Sequence, residues 1–231
     1  MNMSTSTVNL MRRQPKQRRS QQRVRKILES AAAVFTEMGY EAANTHIIAA
    51  RAQTSVGSLY QFFPDKLSLF HSLEAQHMAG LTATLTQLFE EANFQGSFAI
   101  FIDQMVETLA AYFQEPIPRL VYLQYFTSPE LFRLFDQRFS ERMVHQFAAF
   151  LQRWNPNLTQ QKGLRLSRTV HQCYNTLLLD ALQRDPAQRQ LCYDELKALL
   201  SAYLQPHVQP QSVPLGDPSS RPLIYSCFVS Q

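Results

Sequence analysis

The chain has 231 residues, with 22 Lys/Arg against 18 Asp/Glu and a formal net charge of +4, a length that suits one or two domains with ample core. Six glycines are few for a β-rich or loop-rich protein, and Leu, Ala, Gln, Glu and Arg are plentiful, so the composition predicts an all-α fold. No apolar run is long enough to span a bilayer and no apolar segment follows the basic N-terminal residues, so neither a membrane protein nor a secretory leader is expected and the chain reads as cytosolic. Three widely separated cysteines, Cys173, Cys192 and Cys227, argue against a disulfide framework.

Charge is more informative when divided along the chain. Residues 1–70 hold ten Lys/Arg and four acids, a net of +6, and the remainder holds twelve and fourteen, a net of −2. All the positive excess therefore sits at the N-terminal end, as a phosphate-binding domain requires. Residues 1–20 lack apolar periodicity and read as a disordered basic tail. Its run from Arg12 to Arg19 is either an arm that touches phosphates without reading bases or a solvated tail.

Residues 21–38 form the first predicted helix, with Val24, Ile27, Leu28, Ala31, Phe35 and Met38 on one stripe and Gly39 as its stop. Asn44 is a good N-cap for a short second helix whose Ile48, Ala49 and Ala52 face inward. Ser55 caps a third, with Leu59, Phe62 and Phe63 turned toward the second; Pro64-Asp65-Lys66 ends it. Two short helices joined by a three- or four-residue turn make a helix-turn-helix, whose second helix enters the DNA major groove.

The residues Ile48-Ala49 and Ser55-x-Gly57-Ser58-Leu59-Tyr60-x-x-Phe63-x-x-Lys66, together with Ala31 to Tyr40 of the preceding helix, resemble the signature of tetracycline-repressor (TetR) family regulators. The resemblance covers residues 21–81, with the motif at 44–63. It implies that Thr45 lies near the DNA backbone and His46 near a base edge, and that Ser55–Phe62 form the recognition helix. Val56, Gly57 and Ser58 occupy the exposed first turn of that helix: Val56 suits a thymine methyl, Gly57 allows close backbone approach, and Ser58 suits a base or phosphate. Tyr60 and Lys66 fall at phosphate-holding positions, and Gln61 is an added candidate. Phe62 stays open between core and groove. The chain departs from the family at the turn, where Ala52-Gln53-Thr54 replaces Ala-Gly-Val; a non-glycine residue in a left-handed conformation costs roughly 1–2 kcal/mol, which puts the tilt of the recognition helix in question.

After Lys66 a long helix is expected over 66–92, then helices at 97–114, 119–127, 129–154 (capped by Ser128), 159–184 (capped by Thr159) and 186–204, with a turn at residues 115–118. From residue 205 onward, Pro206, Pro210, Pro214, Pro218 and Pro222 predict an extended, disordered tail. The resemblance implies a regulatory and dimerisation domain over 82–204. It also implies an effector pocket, for which Tyr112, Phe113, Tyr122, Gln124, Phe126, Phe147, His171, Tyr174 and Asn175 are the candidate lining.

No glycine-rich phosphate loop, G-x-S-x-G or H-E-x-x-H is present, and His71 and His77 fall on different faces of their helix, so no enzyme, metal or cofactor is expected. The resulting expectation is an N-terminal three-helix helix-turn-helix domain followed by a helical regulatory body. It would be a cytoplasmic, nucleoid-associated homodimer, joined through helices at about 160–204 and bound to a palindromic operator. A small-molecule effector would release that repressor. The alternative is a helical interaction protein whose basic end meets another anionic partner.

Overall fold

The computed structural model describes residues 11–13, 15–94, 96–127 and 129–208, and over 127 and 129–137 the backbone alone. Among these residues the chain is all-α, as composition predicts: α1 (Arg18–Ala42), α2 (Thr45–Arg51), α3 (Val56–Tyr60), α4 (Lys66–Glu90), α5 (Phe98–Tyr112), α6 (Pro116–Thr127), α7 (Pro129–Trp154), α8 (Gln160–Gln183) and α9 (Pro186–Val208).

Local side-chain chemistry sets most helix starts. The Asn44 carboxamide oxygen accepts from the backbone N–H groups of His46 and Ile47, both at 3.0 Å, and Ser55 Oγ accepts from Ser58 N at 3.1 Å. Asp65 and Ser68 form a reciprocal capping box at the head of α4, and Thr159 caps α8 through Lys162 N. Gly39 stands at φ 78°, ψ 162°, a region open to glycine almost alone, and breaks the helical path of α1.

Four sequence expectations are corrected. Helix α1 begins at Arg18, inside the predicted tail, and Arg12 N donates to Phe62 O at 2.8 Å, so this part of the arm lies against the end of the helix-turn-helix. Met38 is exposed rather than in the stripe. Residues 116–118 are the first turn of α6, where prolines lose no hydrogen bond because the first N–H groups of a helix have no intrahelical partner. Helix α9 continues to Val208 with Pro206 in its last turn, so the change to extended chain does not come at 205. Residues 1–10 and 209–231, with Cys227 and the later prolines, and the Ser128 cap fall outside the described residues.

Two large apolar cores result among the described residues, with a small third cluster of Met78, Phe139 and Met143. The N-terminal one joins α1 to α4 through Ile27, Phe35, Ile48, Leu59, Phe63, Phe70 and Leu73, and also takes Leu120 and Val121 of α6. The second is built on α5, α7, α8 and α9, with Phe101, Phe150, Leu178 and Leu196 near its centre, and takes Tyr122 of α6. Consecutive residues of one helix are thus divided between the two cores.

Candidate nucleic-acid interface and internal cavity

The turn between α2 and α3 keeps a left-handed residue without glycine. Gln53 stands at φ 53°, and Thr54 N donates to Ala49 O at 3.0 Å to close the turn. Lys26 Nζ of α1 donates to Gln53 Oε1 at 2.7 Å, tying the strained residue to the bracing helix. The backbone form that glycine would supply is present, at the conformational cost of a side chain.

The candidate DNA-contacting residues divide by burial. His46, Ser55, Gly57, Tyr60 and Gln61 are exposed, and Val56 and Ser58 are half-buried. Nothing lies within 4 Å of the position a Cβ would take on Gly57, so its surface is open. Thr45 is buried, and its hydroxyl stands 3.0 Å from that of Tyr60, linking the start of α2 to the end of α3. Phe62 is 4% exposed and belongs to the N-terminal core, the packing role the sequence left open for it; the helix itself ends at Tyr60. Lys66 Nζ donates to Tyr40 O at 2.7 Å and Glu41 O at 3.2 Å and sits 4.3 Å from the centre of the Tyr40 ring. Its ammonium closes the C-terminal end of α1 and is not free on the surface. Arg51 is likewise spent on a bidentate pair with Glu37.

A second feature lies between α4, α5, α6, α7 and α8: a cavity of about 190 Å³. Of the residues anticipated for it, Phe113, Tyr122, Phe126, Phe147, His171, Tyr174 and Asn175 do line it. Tyr112 and Gln124 do not. Sequence reasoning missed His77, Met105, Ser140, Met143 and Ser167, among others. The methionines carry no signal for a pocket, and a serine inside α8 reads as an ordinary helix residue.

Tyr112 is turned away by its own hydrogen bonds. Its hydroxyl donates to His77 O at 2.7 Å and lies 3.0 Å from His77 Nδ1, which makes Nδ1–H the donor to the phenol oxygen. Gly80 permits this approach, since a Cβ there would stand 3.0 Å from the Tyr112 oxygen. Burial lowers the His77 pKa from its ordinary 6.5 to about 4. The unfolded chain therefore binds more protons than the folded one between these values, and stability is lost as pH falls through that window. The expected loss is about 3 kcal/mol. Urea unfolding at pH 7 and pH 4.5 checks this: His77→Gln should show a clearly flatter pH dependence, and an unchanged one would contradict it.

A buried polar junction joins α4 to α6. Glu74 is fully buried; its Oε1 accepts from the Tyr125 hydroxyl at 2.6 Å, and its Oε2 stands 2.9 Å from His71 Nδ1. Tyr125 also lines the cavity. His71 and His77 thus serve separate contacts, and no cluster of three metal-ligating side chains occurs among the described residues. Cys173 and Cys192 are free thiols. No described helix is long and apolar enough to cross a membrane.

Known proteins supply the remaining comparison. Residues 27–73 match the model of bacterial regulatory proteins of the tetR family, and residues 97–204 match that of the tetracyclin repressor-like C-terminal domain. The fold is shared with a TetR-family transcriptional regulator from Streptomyces coelicolor, at 24% identity over 82% of this chain and 99% of that one, with a TM-score of 0.54. A TetR family transcriptional regulator from Thermus thermophilus matches at 24% identity over 78% and 97%, with a TM-score of 0.57. A transcriptional regulator from Rhodococcus sp. Rha1 matches at 19% identity over 81% and 99%, with a TM-score of 0.61. No curated protein matches the chain. With both of its halves matched and the helix-turn-helix in place, the chain belongs to the TetR family and is a DNA-binding transcriptional regulator.

Proposed function

We propose that this regulator is a homodimeric repressor released from a palindromic operator by a small molecule bound in the α4–α8 cavity. The observation that carries the reading is the division of α6: Leu120 and Val121 pack in the N-terminal core, while Tyr122, Tyr125 and Phe126 line the cavity. A ligand that prefers one placement of α6 biases the helix-turn-helix through Tyr125 and Glu74, and DNA affinity falls by the ligand's preference between the two states. In this reading 21–81 is the DNA-binding unit and 82–204 the regulatory body. His46, Ser55, Val56, Gly57, Ser58 and Gln61 read or approach the groove, and Tyr60 holds a phosphate with Thr45 behind it. Lys66 acts mainly by fixing the end of α1. Leu191 and Leu199, both exposed on α9, suit a helical interface between two copies of α8 and α9. Two copies then engage half-sites one DNA turn apart.

Fluorescence anisotropy with a duplex from the region upstream of the protein's own gene tests this. Saturable binding that survives excess competitor DNA, with two subunits per duplex, is the expected result. Affinity no greater than for random duplex, or a monomer by ultracentrifugation at micromolar concentration, would overturn it.

A further inference from the structure

We propose that the cavity takes an uncharged, largely apolar molecule of about one-ring size that carries a hydrogen-bond acceptor, held by the hydroxyls of Ser167 and Tyr174. This rests on the effector reading above and adds the chemistry of what binds. Ser167 and Tyr174 are 1% and 8% exposed, and both line the cavity. They lie two turns apart on the same face of α8. Neither Ser167 Oγ nor Tyr174 Oη has a hydrogen-bond partner among the described residues. A buried hydroxyl without a partner is costly, and both of these belong to residues on one wall of the cavity, where an acceptor met by a small turn of either side chain relieves that cost. Burial pushes the Tyr174 phenol well above its ordinary pKa, so it stays protonated and offers a donor.

The other polar groups nearby are already paired. The Tyr122 hydroxyl donates to Asn175 O at 2.7 Å, and Asn175 Nδ2 stands 3.1 Å from His171 Nε2.

Charge decides the class. No Asp, Glu, Lys or Arg is among the described residues that line the cavity, and His77 is neutral near pH 7. Among the described lining residues a carboxylate or ammonium would meet no permanently charged partner, only the imidazoles of His77 and His171, so leaving water would cost it its solvation without a fixed counter-ion there. The remaining wall is aromatic and aliphatic, with Met105 and Met143 as adaptable surfaces. A closed apolar cavity of about 150 Å³ holds a benzene ring. At about 190 Å³, this one has room for a ring and a short polar substituent.

Three probes of nearly equal shape separate the possibilities in calorimetric titrations of the full chain: ethylbenzene, acetophenone and benzoate. Acetophenone is expected to bind about tenfold more tightly than ethylbenzene, the worth of one good hydrogen bond, and benzoate weakest of the three. The double variant Ser167→Ala/Tyr174→Phe removes only two oxygens. It should bind ethylbenzene undiminished, which also reports an intact cavity, and lose the preference for acetophenone. Tightest binding by benzoate, a preference that survives in the double variant, or binding by none of the three overturns the proposal. Operator anisotropy, run in parallel, distinguishes the two readings. An anion that binds tightly and releases DNA would refute this chemistry and leave effector control standing. Acetophenone binding with operator affinity unchanged would support the chemistry and count against effector control.

Discussion

Glu74→Ala lowers the melting temperature by about 10 °C. The carboxyl is fully buried and bonded on both oxygens, to Tyr125 of α6 and to His71 one turn earlier on α4. Removing one member of a buried, charge-capable network costs about 3–5 kcal/mol, because the groups it served lose an acceptor and a void is left behind. For a chain of this size each kcal/mol is worth about 2–4 °C. The position of the loss matters as much as its size. Helix α4 begins in the N-terminal core and ends beside Phe89 in the second, so a weakened α4–α6 contact loosens the joint between them. Glu74→Gln keeps the volume and one acceptor oxygen, and should lose about half as much. Scanning calorimetry of the two variants checks the order. A Glu74→Ala protein melting within about 2 °C of the parent would mean that the junction is not what holds α6 to α4.

That junction is also the best measure of what the sequence conceals. The caps at Asn44, Ser55 and Thr159 are legible because each side chain serves a backbone group two or three residues away. The stop at Gly39 was legible because its backbone angles leave little choice of residue. Glu74 gives no such signal: its partner Tyr125 is 51 residues distant, and a glutamate within F-H-S-L-E-A-Q-H reads as solvated. The same holds for Tyr112, whose aromatic ring suggested a pocket while its hydroxyl was committed to a backbone carbonyl 35 residues earlier. Phe62 went the other way. Its place just after α3 left the groove open to it, and only the packing of Leu59, Phe63 and the chain at Arg12 encloses it. At Gln53 the sequence identified the unusual residue but not the outcome, because the Lys26 contact that ties it down comes from another helix.

Gly57→Leu should weaken specific DNA binding by about 100-fold or more without harming the fold. In the folded protein the site is open: a Cβ on Gly57 would meet nothing within 4 Å, and its φ is not in the left-handed region. Glycine in a helix costs up to about 1 kcal/mol relative to better helix formers, so the substitution leaves the melting temperature unchanged or raises it slightly. Packing among the described residues thus does not require a glycine here, and the proposed close approach of DNA to that surface gives it a use. The neighbouring Val56 and Ser58 are half-buried and short, so little side chain stands between the first turn of α3 and an approaching surface. A duplex seated against that backbone would be pushed away by a four-carbon side chain, and every phosphate contact that depends on close approach would lengthen with it. The loss should be about 100-fold or more in affinity, or about 2.7 kcal/mol, with Gly57→Ala intermediate. Anisotropy with the upstream duplex measures the first quantity and calorimetry the second. If Gly57→Leu binds within about threefold of the parent while melting normally, the first turn of α3 does not lie against DNA and the recognition surface must be sought elsewhere on the basic end.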